Sequence, residues 1–219
     1  MKNLSVCVAS VFLLTSAGAF ASDDISKING SIRIETNRTA GDLDTVNGSI
    51  HLGDGAHADK VGTVNGSIEI GDNVTAHSLG TVNGAIEVGK ASRVERDVET
   101  VNGRITLYGG ADVGGSLTTV NGDIRLETAH AGGGIKTVGG DISVGADSHV
   151  EGGILIEKPN SSWFRRTPRT PRVVIGPRAV VTGTLEFRRE VELFVSDSAK
   201  IGNVVGATAT TFSGERPPN

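Results

Sequence analysis

The chain of 219 residues holds a single cysteine, Cys7, inside its apolar N-terminal stretch. A chain trimmed after Ala21 therefore has no thiol, which excludes a disulfide framework, a thiolate metal site and a cysteine nucleophile. Cys7 also precedes the end of the apolar stretch, where a lipoprotein cysteine would follow it. Aromatic residues make up 4%, with one Trp and one Tyr, too few large side chains for an ordinary compact core of this length. Neither sign of charge dominates: 21 Lys and Arg stand against 25 Asp and Glu. That balance gives no general reason to expect nucleic acid as a partner.

Long apolar runs are confined to the first 21 residues. Lys2 supplies a charged start, Leu4 to Phe20 is largely apolar, and Ala19-Phe20-Ala21 fits a cleavage site before Ser22. The run is short and wrongly flanked for a membrane-spanning helix, a retained anchor being the alternative. Residues 1–21 are predicted to be a signal peptide. The remainder is expected to cross the inner membrane and reside in the periplasm or on the outer cell surface, with no transmembrane segment after cleavage.

Glycine is abundant, at 31 residues, and its placement is regular. Thr63 to Ile70 reads TVNGSIEI, and near-copies begin at Lys27, Thr45, Thr81, Thr100, Thr119 and Thr137. Their second residues, Ile28, Val46, Val64, Val82, Val101, Val120 and Val138, are separated by 18, 18, 18, 19, 19 and 18 positions. A fixed period sets architecture before local propensity does. Inside it lies a step of six: Val46, Leu52, Ala58, Val64, Ile70, Ala76, Val82, Val88 and Val94 are all aliphatic or Ala, and Ile175, Val181, Phe187 and Leu193 repeat the step. Three sixes per eighteen describe an all-β triangular coil, a parallel β-solenoid of about nine or ten turns. At the spacing of hydrogen-bonded strands it would be roughly 40–45 Å long.

The pairs Asn29-Gly30, Asn47-Gly48, Asn65-Gly66, Asn83-Gly84, Asn102-Gly103 and Asn121-Gly122 carry the repeat. Asn-Gly is also the strongest short hairpin signal, so a meander of hairpins is the competing fold. The unbroken phase of the six-step favours the solenoid. There, Gly relieves crowding at a bend and Asn side chains stack from turn to turn. The second residues of the copies, such as Val82, are expected to point inward, so that a charge at Val82 or Ile86 would break the stack. Thr45, Thr63, Thr81, Thr100, Thr119 and Thr137 form one column beside them. An outward Thr array could order water, as in ice binding, although Thr is also simply good strand composition.

Regular repeats span residues 22–156, behind a short polar lead without a capping helix. Uncapped ends suggest assembly end to end or a partner there, frayed turns being the plainer reading. Residues 157–173 interrupt the period: Lys158 to Arg172 has three prolines, five positive charges and no negative one. Residues 174–212 resume the step with bulkier side chains, Phe212 being placed to plug the last turn, and 213–219 are a polar tail. Long insertions of this kind are often functional. Trp163, Phe164, Arg165, Arg166, Arg169 and Arg172 are the candidate binding residues. Arg pairs phosphate or carboxylate and Trp offers a stacking face. The plain alternative is that Trp163 and Phe164 fold back over the coil.

Catalytic signals are weak. His51, His57, His77, His130 and His149 show no recognised ligand spacing, so no metal or cofactor is expected and each reads as a solvent-facing structural residue. Glu69 and Glu87 would stack at glycosidase-like separation. Their column, Arg33, His51, Glu69, Glu87, Thr106, Arg125 and Ser143, reads as a mixed solvated face, and two acids on one strand face cannot flank a sugar. An acyl-CoA-dependent hexapeptide-repeat transferase does not suit a secreted chain. Polysaccharide lyases on β-helices usually build a cleft from several loops.

The TVNG-x-I repeats behind a signal sequence resemble the bacterial adhesin-like β-strand-repeat family. The segment Val173 to Gly202, VVIGPRAVVTGTLEFRREVELFVSDSAKIG, is similar to the polymer-forming bactofilins, which are triangular β-helices. The resemblance implies a non-enzymatic, envelope-associated role and brings no catalytic residues. Bactofilins are typically cytoplasmic, and the signal sequence departs from them. The expectation is a secreted scaffold or adhesin-like protein whose partner is an envelope protein, a glycan, an anionic lipid headgroup or another copy end to end. A self-assembling polymer and a carbohydrate-active enzyme are the alternatives.

Overall fold

The computed structural model describes residues 23–159 and 169–217. The predicted signal peptide lies outside the described residues, as do Trp163, Phe164, Arg165 and Arg166.

The described residues contain strands and no helix, and every paired strand is parallel to its neighbour. This rules for the solenoid over the hairpin meander. The coil has three faces. A Thr-Val face collects Ile25–Asn29, Leu43–Asn47, the second halves of His57–Asn65 and Thr75–Asn83, then Val98–Asn102 and its successors. An Ile face runs from Ile32–Ile34 through Ile68–Ile70 and Ile86–Val88 to Ala209–Phe212, ten rungs in all. A His face stacks Arg93–Val94, Asp112–Val113, His130–Ala131, His149–Val150, Val180–Val181 and Lys200–Ile201. His57–Asn65 and Thr75–Asn83 run from the His face into the Thr-Val face without a break, which joins those two faces into one sheet of sixteen strands.

Each face sends two residues per turn inward. Ile68 and Ile70, Val74 and Ala76, Leu79 and Thr81, then Ile86 and Val88, form consecutive layers of one buried column. Each aliphatic side chain so buried contributes about 1.5–3 kcal/mol before the cost of ordering the chain. Phe212 is buried at the end of the last strand, as the sequence suggested.

On the Thr-Val face the inward residue is Thr, not Val, contrary to expectation. Thr45, Thr63, Thr81, Thr100, Thr119 and Thr137 are buried, whereas Ile28 is 74% exposed and Val46 37%. Val64, Val82, Val101, Val120 and Val138 lie outward and half-buried. The physical reason is a carbonyl. The bend at each Asn-Gly leaves a glycine C=O that the inward Thr hydroxyl reaches: Thr63 Oγ1 donates to Gly48 O at 2.9 Å and Thr81 Oγ1 to Gly66 O at 3.0 Å. A valine there would leave the carbonyl without that partner. The buried Thr array offers no surface for ordering water.

The Asn-Gly bends behave as ladders rather than hairpin turns. Asn65 Nδ2 donates to Asn47 Oδ1 at 3.0 Å, Asn83 to Asn65 at 3.0 Å and Asn102 to Asn83 at 3.0 Å. Glycine is required because successive bends touch. A Cβ on Gly66 would lie 2.0 Å from Gly48 O, and one on Gly84 1.9 Å from Gly66 O. Among the Asn-Gly glycines only Gly30 has a positive φ, and left-handed backbone recurs instead at the corner between the Ile and His faces. Asn37, Gly55, Asn73, Ala91, Gly110, Thr128, Asp147 and Arg178 occupy it turn after turn, all with positive φ.

The insertion leaves the coil between the Thr-Val and Ile faces. In the preceding turn the chain passes from Thr137 to Ile142; here it passes from Ile156, in register with Thr137, to Val173, in register with Ile142. Arg172–Ile175 is the strand that returns the chain to the coil.

Candidate functional site

Of the six predicted binding residues, Arg169 and Arg172 are described, and both stand at the root of the insertion. Asp141 organises that root. Its Oδ1 accepts the Arg172 backbone N–H at 2.9 Å and its Oδ2 pairs with Arg169 Nη2 at 3.0 Å. Arg189, one turn further on, donates to Val138 O at 3.1 Å and to Arg169 O at 3.0 Å. The insertion therefore rises from a fixed base. The Arg172 guanidinium is 4.6 Å from the centre of the Phe194 ring on the next rung, a cation–π contact that uses one apolar body to hold a charge.

Beside this base runs a groove of about 990 Å3 on the outer surface of the Ile face. Ser143 and Val174 form its floor, and the tail residues Gly214 to Pro217 form its far wall. Arg125, Arg172, Arg178 and Arg216 line it, with Asp141, Asp197 and Glu215 among them. Arg178 is held by a bidentate pair to Asp147, at 2.7 and 2.6 Å. That pairing keeps the Asp147 carboxyl below the ordinary carboxylate value, through its hydrogen bonds first, against slight desolvation. Sequence reading missed Arg125, Arg178 and Arg216 because they lie on three different segments. Only the rung register brings 125, 172 and 178 to one surface.

Arg33, His51, Glu69, Glu87, Thr106, Arg125 and Ser143 are consecutive register partners, and the column is the expected mixed solvated face except at Thr106, which is buried. Glu69 accepts from His51 at 3.4 Å, and Glu87 accepts the Tyr108 hydroxyl at 3.4 Å. Both carboxylates project from the same strand face.

The histidines are less scattered than the sequence suggested. His130 and His149 are register partners on adjacent rungs. Their ring centres are 5.6 Å apart. His130 Nδ1 lies 2.6 Å from Asp112 Oδ1 and its Nε2 3.3 Å from Glu151 Oε1. The spacing that joins them is the repeat period itself, which no short-range ligand motif encodes. Among the described residues no group of three or more His, Cys, Asp or Glu is arranged, as the side chains stand, to hold a metal ion, and no helix is long and apolar enough to cross a membrane.

Comparison with protein-family models, curated proteins and solved structures returns no match to this chain, so what the structure carries of the sequence resemblances is the parallel β-solenoid fold.

Proposed function

We propose that this chain is a non-enzymatic envelope protein exported from the cytoplasm, a structural or adhesin-like rod. Its docking point for an acidic partner is the clamped root of the insertion with the arginine-lined groove beside it. The observation that carries this reading is the convergence of Arg125, Arg172, Arg178 and Arg216 on one groove at the base of the basic, Trp-containing excursion. A rod stiffened by side-chain ladders loses little entropy when such a surface binds, which favours presentation over catalysis. Arg suits carboxylate, phosphate or sulfate groups because its planar fork engages two oxygens at once.

Co-sedimentation with phosphatidylglycerol vesicles and affinity electrophoresis in polygalacturonate test it. The wild-type chain should bind at least one of these acidic probes. Shortening the excursion to the Thr137–Ile142 connector, or the double change Arg169→Ser with Arg172→Ser, should abolish binding, and neutral vesicles and amylose should not be bound. Retention by the shortened chain, or binding to neither acidic probe, overturns the assignment.

End-to-end self-assembly is a second reading, favoured by the terminal rungs. In Ile25–Asn29 all residues but the first are exposed, and in Ala209–Phe212 all but the last. Both strands are edge strands with open hydrogen-bonding groups among the described residues. Filaments one coil wide under negative stain would support it. A species that sediments as a monomer at every concentration would reject it.

A further inference from the structure

We infer that His130, His149 and Glu151 bind a divalent transition-metal ion of the zinc class on the outer surface of the His face, with Asp112 orienting His130. The three donors come from two adjacent rungs. His149 opens the strand His149–Val150 and Glu151 follows it directly, the two lying outward on either side of the buried Val150, and His130 is the register partner of His149 one rung below.

The geometry at His130 carries the argument. Asp112 is an acceptor, and at 2.6 Å it fixes the hydrogen on His130 Nδ1. Asp112 is itself held by Arg93, which grips its other oxygen. With Nδ1 so committed, the Nε2 lone pair is directed at Glu151 Oε1, 3.3 Å away. Two acceptors facing each other at that distance require a cation between them, a proton or a metal ion. A tetrahedral zinc with ligands at about 2.0–2.2 Å separates its donors by roughly 3.4 Å, which matches the observed gap. Two imidazoles on one ion place their ring centres ~5 Å apart, close to the 5.6 Å between His130 and His149. A carboxylate on the far nitrogen of a ligating His is the usual outer partner at such sites, where it sets the tautomer and raises basicity. Asp112 stands in that position.

Glu151 Oε1 and His130 Nε2 are thus already at ligand separation, and His149 is the adjustable third donor. Its ring nitrogens have no hydrogen-bond partner among the described residues, so turning the imidazole toward the ion breaks no hydrogen bond and alters only its tilted ring contact with His130. Val180 and Lys200 occupy the rungs beyond it and Gly132 the place beside Glu151's strand; no bulky group stands in Gly132's position to fill the site. The other two His–carboxylate pairs, His51 with Glu69 and His77 with Glu95, have one imidazole each and lack this second donor.

Calorimetric titration of the purified chain with Zn2+ in a non-chelating buffer at neutral pH is the test. One saturable site is expected, with no comparable heat from Mg2+. His130→Ala and His149→Ala should each weaken binding by at least about 10-fold, and Asp112→Asn by about 10–100-fold although it donates nothing to the ion. His77→Ala should leave affinity unchanged. Co2+ in place of Zn2+ should give the visible absorption of a tetrahedral ion, lost in His149→Ala. All four side chains face outward, so these variants should keep the wild-type circular dichroism; His149→Gln replaces any that does not. Absence of a saturable Zn2+ site, equal affinity for Mg2+, or wild-type affinity in both His130→Ala and His149→Ala would overturn the assignment. The last result would leave His130 as an ion-paired residue only.

Discussion

Replacing Gly84 and Gly80 by alanine in separate variants gives opposite expectations from residues four positions apart. A Cβ on Gly84 would sit 1.9 Å from the Gly66 carbonyl oxygen, while one on Gly80 meets nothing within 4 Å. Ordinary contact is more than 1 Å longer than the first distance, so the bend at Gly84 must lift from the bend below. Four hydrogen bonds span that gap: Gly66 N to Asn83 O, Ile68 N to Ala85 O, Thr81 Oγ1 to Gly66 O and Asn83 Nδ2 to Asn65 Oδ1. At about 0.5–1.5 kcal/mol each, their loss or distortion costs ~2–6 kcal/mol. The narrower unfolded ensemble of alanine returns only about 0.4–1 kcal/mol. Domains of this class hold about 5–15 kcal/mol in total, so Gly84→Ala should move the urea midpoint, followed by far-ultraviolet circular dichroism, to markedly lower concentration. Gly80→Ala should leave the midpoint unchanged or raise it slightly, since glycine in a strand is itself unfavourable. Amide exchange should show the loss centred on the bends at 66, 84 and 103. Equal midpoints for the two variants would refute the claim that stacked bends exclude a side chain.

Ile86→Asp should prevent stacking around its rung, because Ile86 is fully buried and an unpaired charge there is untenable. Val82→Asp, on the outward column, should cost less than ~1 kcal/mol by thermal melting. Asn83→Ala removes a ladder residue bonded on both sides and Asn29→Ala one bonded on a single side; the first should lose about twice as much, roughly 1–2 against ~1 kcal/mol. Thr128 holds φ at 51° in the corner where Asn37 and Asn73 also sit, so Thr128→Asn should stabilise by ~0.5–1 kcal/mol in the same assay. The Asp44 carboxyl is raised above its ordinary value by partial desolvation first and then by Asp42, against the pull of Lys60 and with a lesser push from Asp24. Its ionised form therefore opposes folding, fully above the folded pKa and not at all below the unfolded one. Asp44→Asn should be more stable than wild type at neutral pH, and the difference should vanish as pH falls through the acid range. A gap that persists or widens in acid would contradict that assignment.

The fold was legible because a solenoid writes its turn length into the chain. Each rung buries its side chains only against its neighbours, so the period of eighteen or nineteen and the step of six are direct images of one turn and one side. The Asn ladder and the need for glycine at each bend follow from the same stacking. The inward phase of the Thr-Val face was misread because Thr and Val are nearly the same shape, and a slip of one residue exchanges the two faces of a strand. The signal was present upstream: Leu43, Val61, Leu79 and Val98 stand two before Thr45, Thr63, Thr81 and Thr100, and alternation puts Thr, not Val, in phase with them. Tertiary structure alone decided which distant side chains share a surface. Arg125, Arg172 and Arg178 meet at one groove, and His130 meets His149, because an inserted loop and single-residue lengthenings alter spacing along the chain while hydrogen bonding keeps the rungs in register. The period belongs to the sequence, and the columns on the surface belong to the stack.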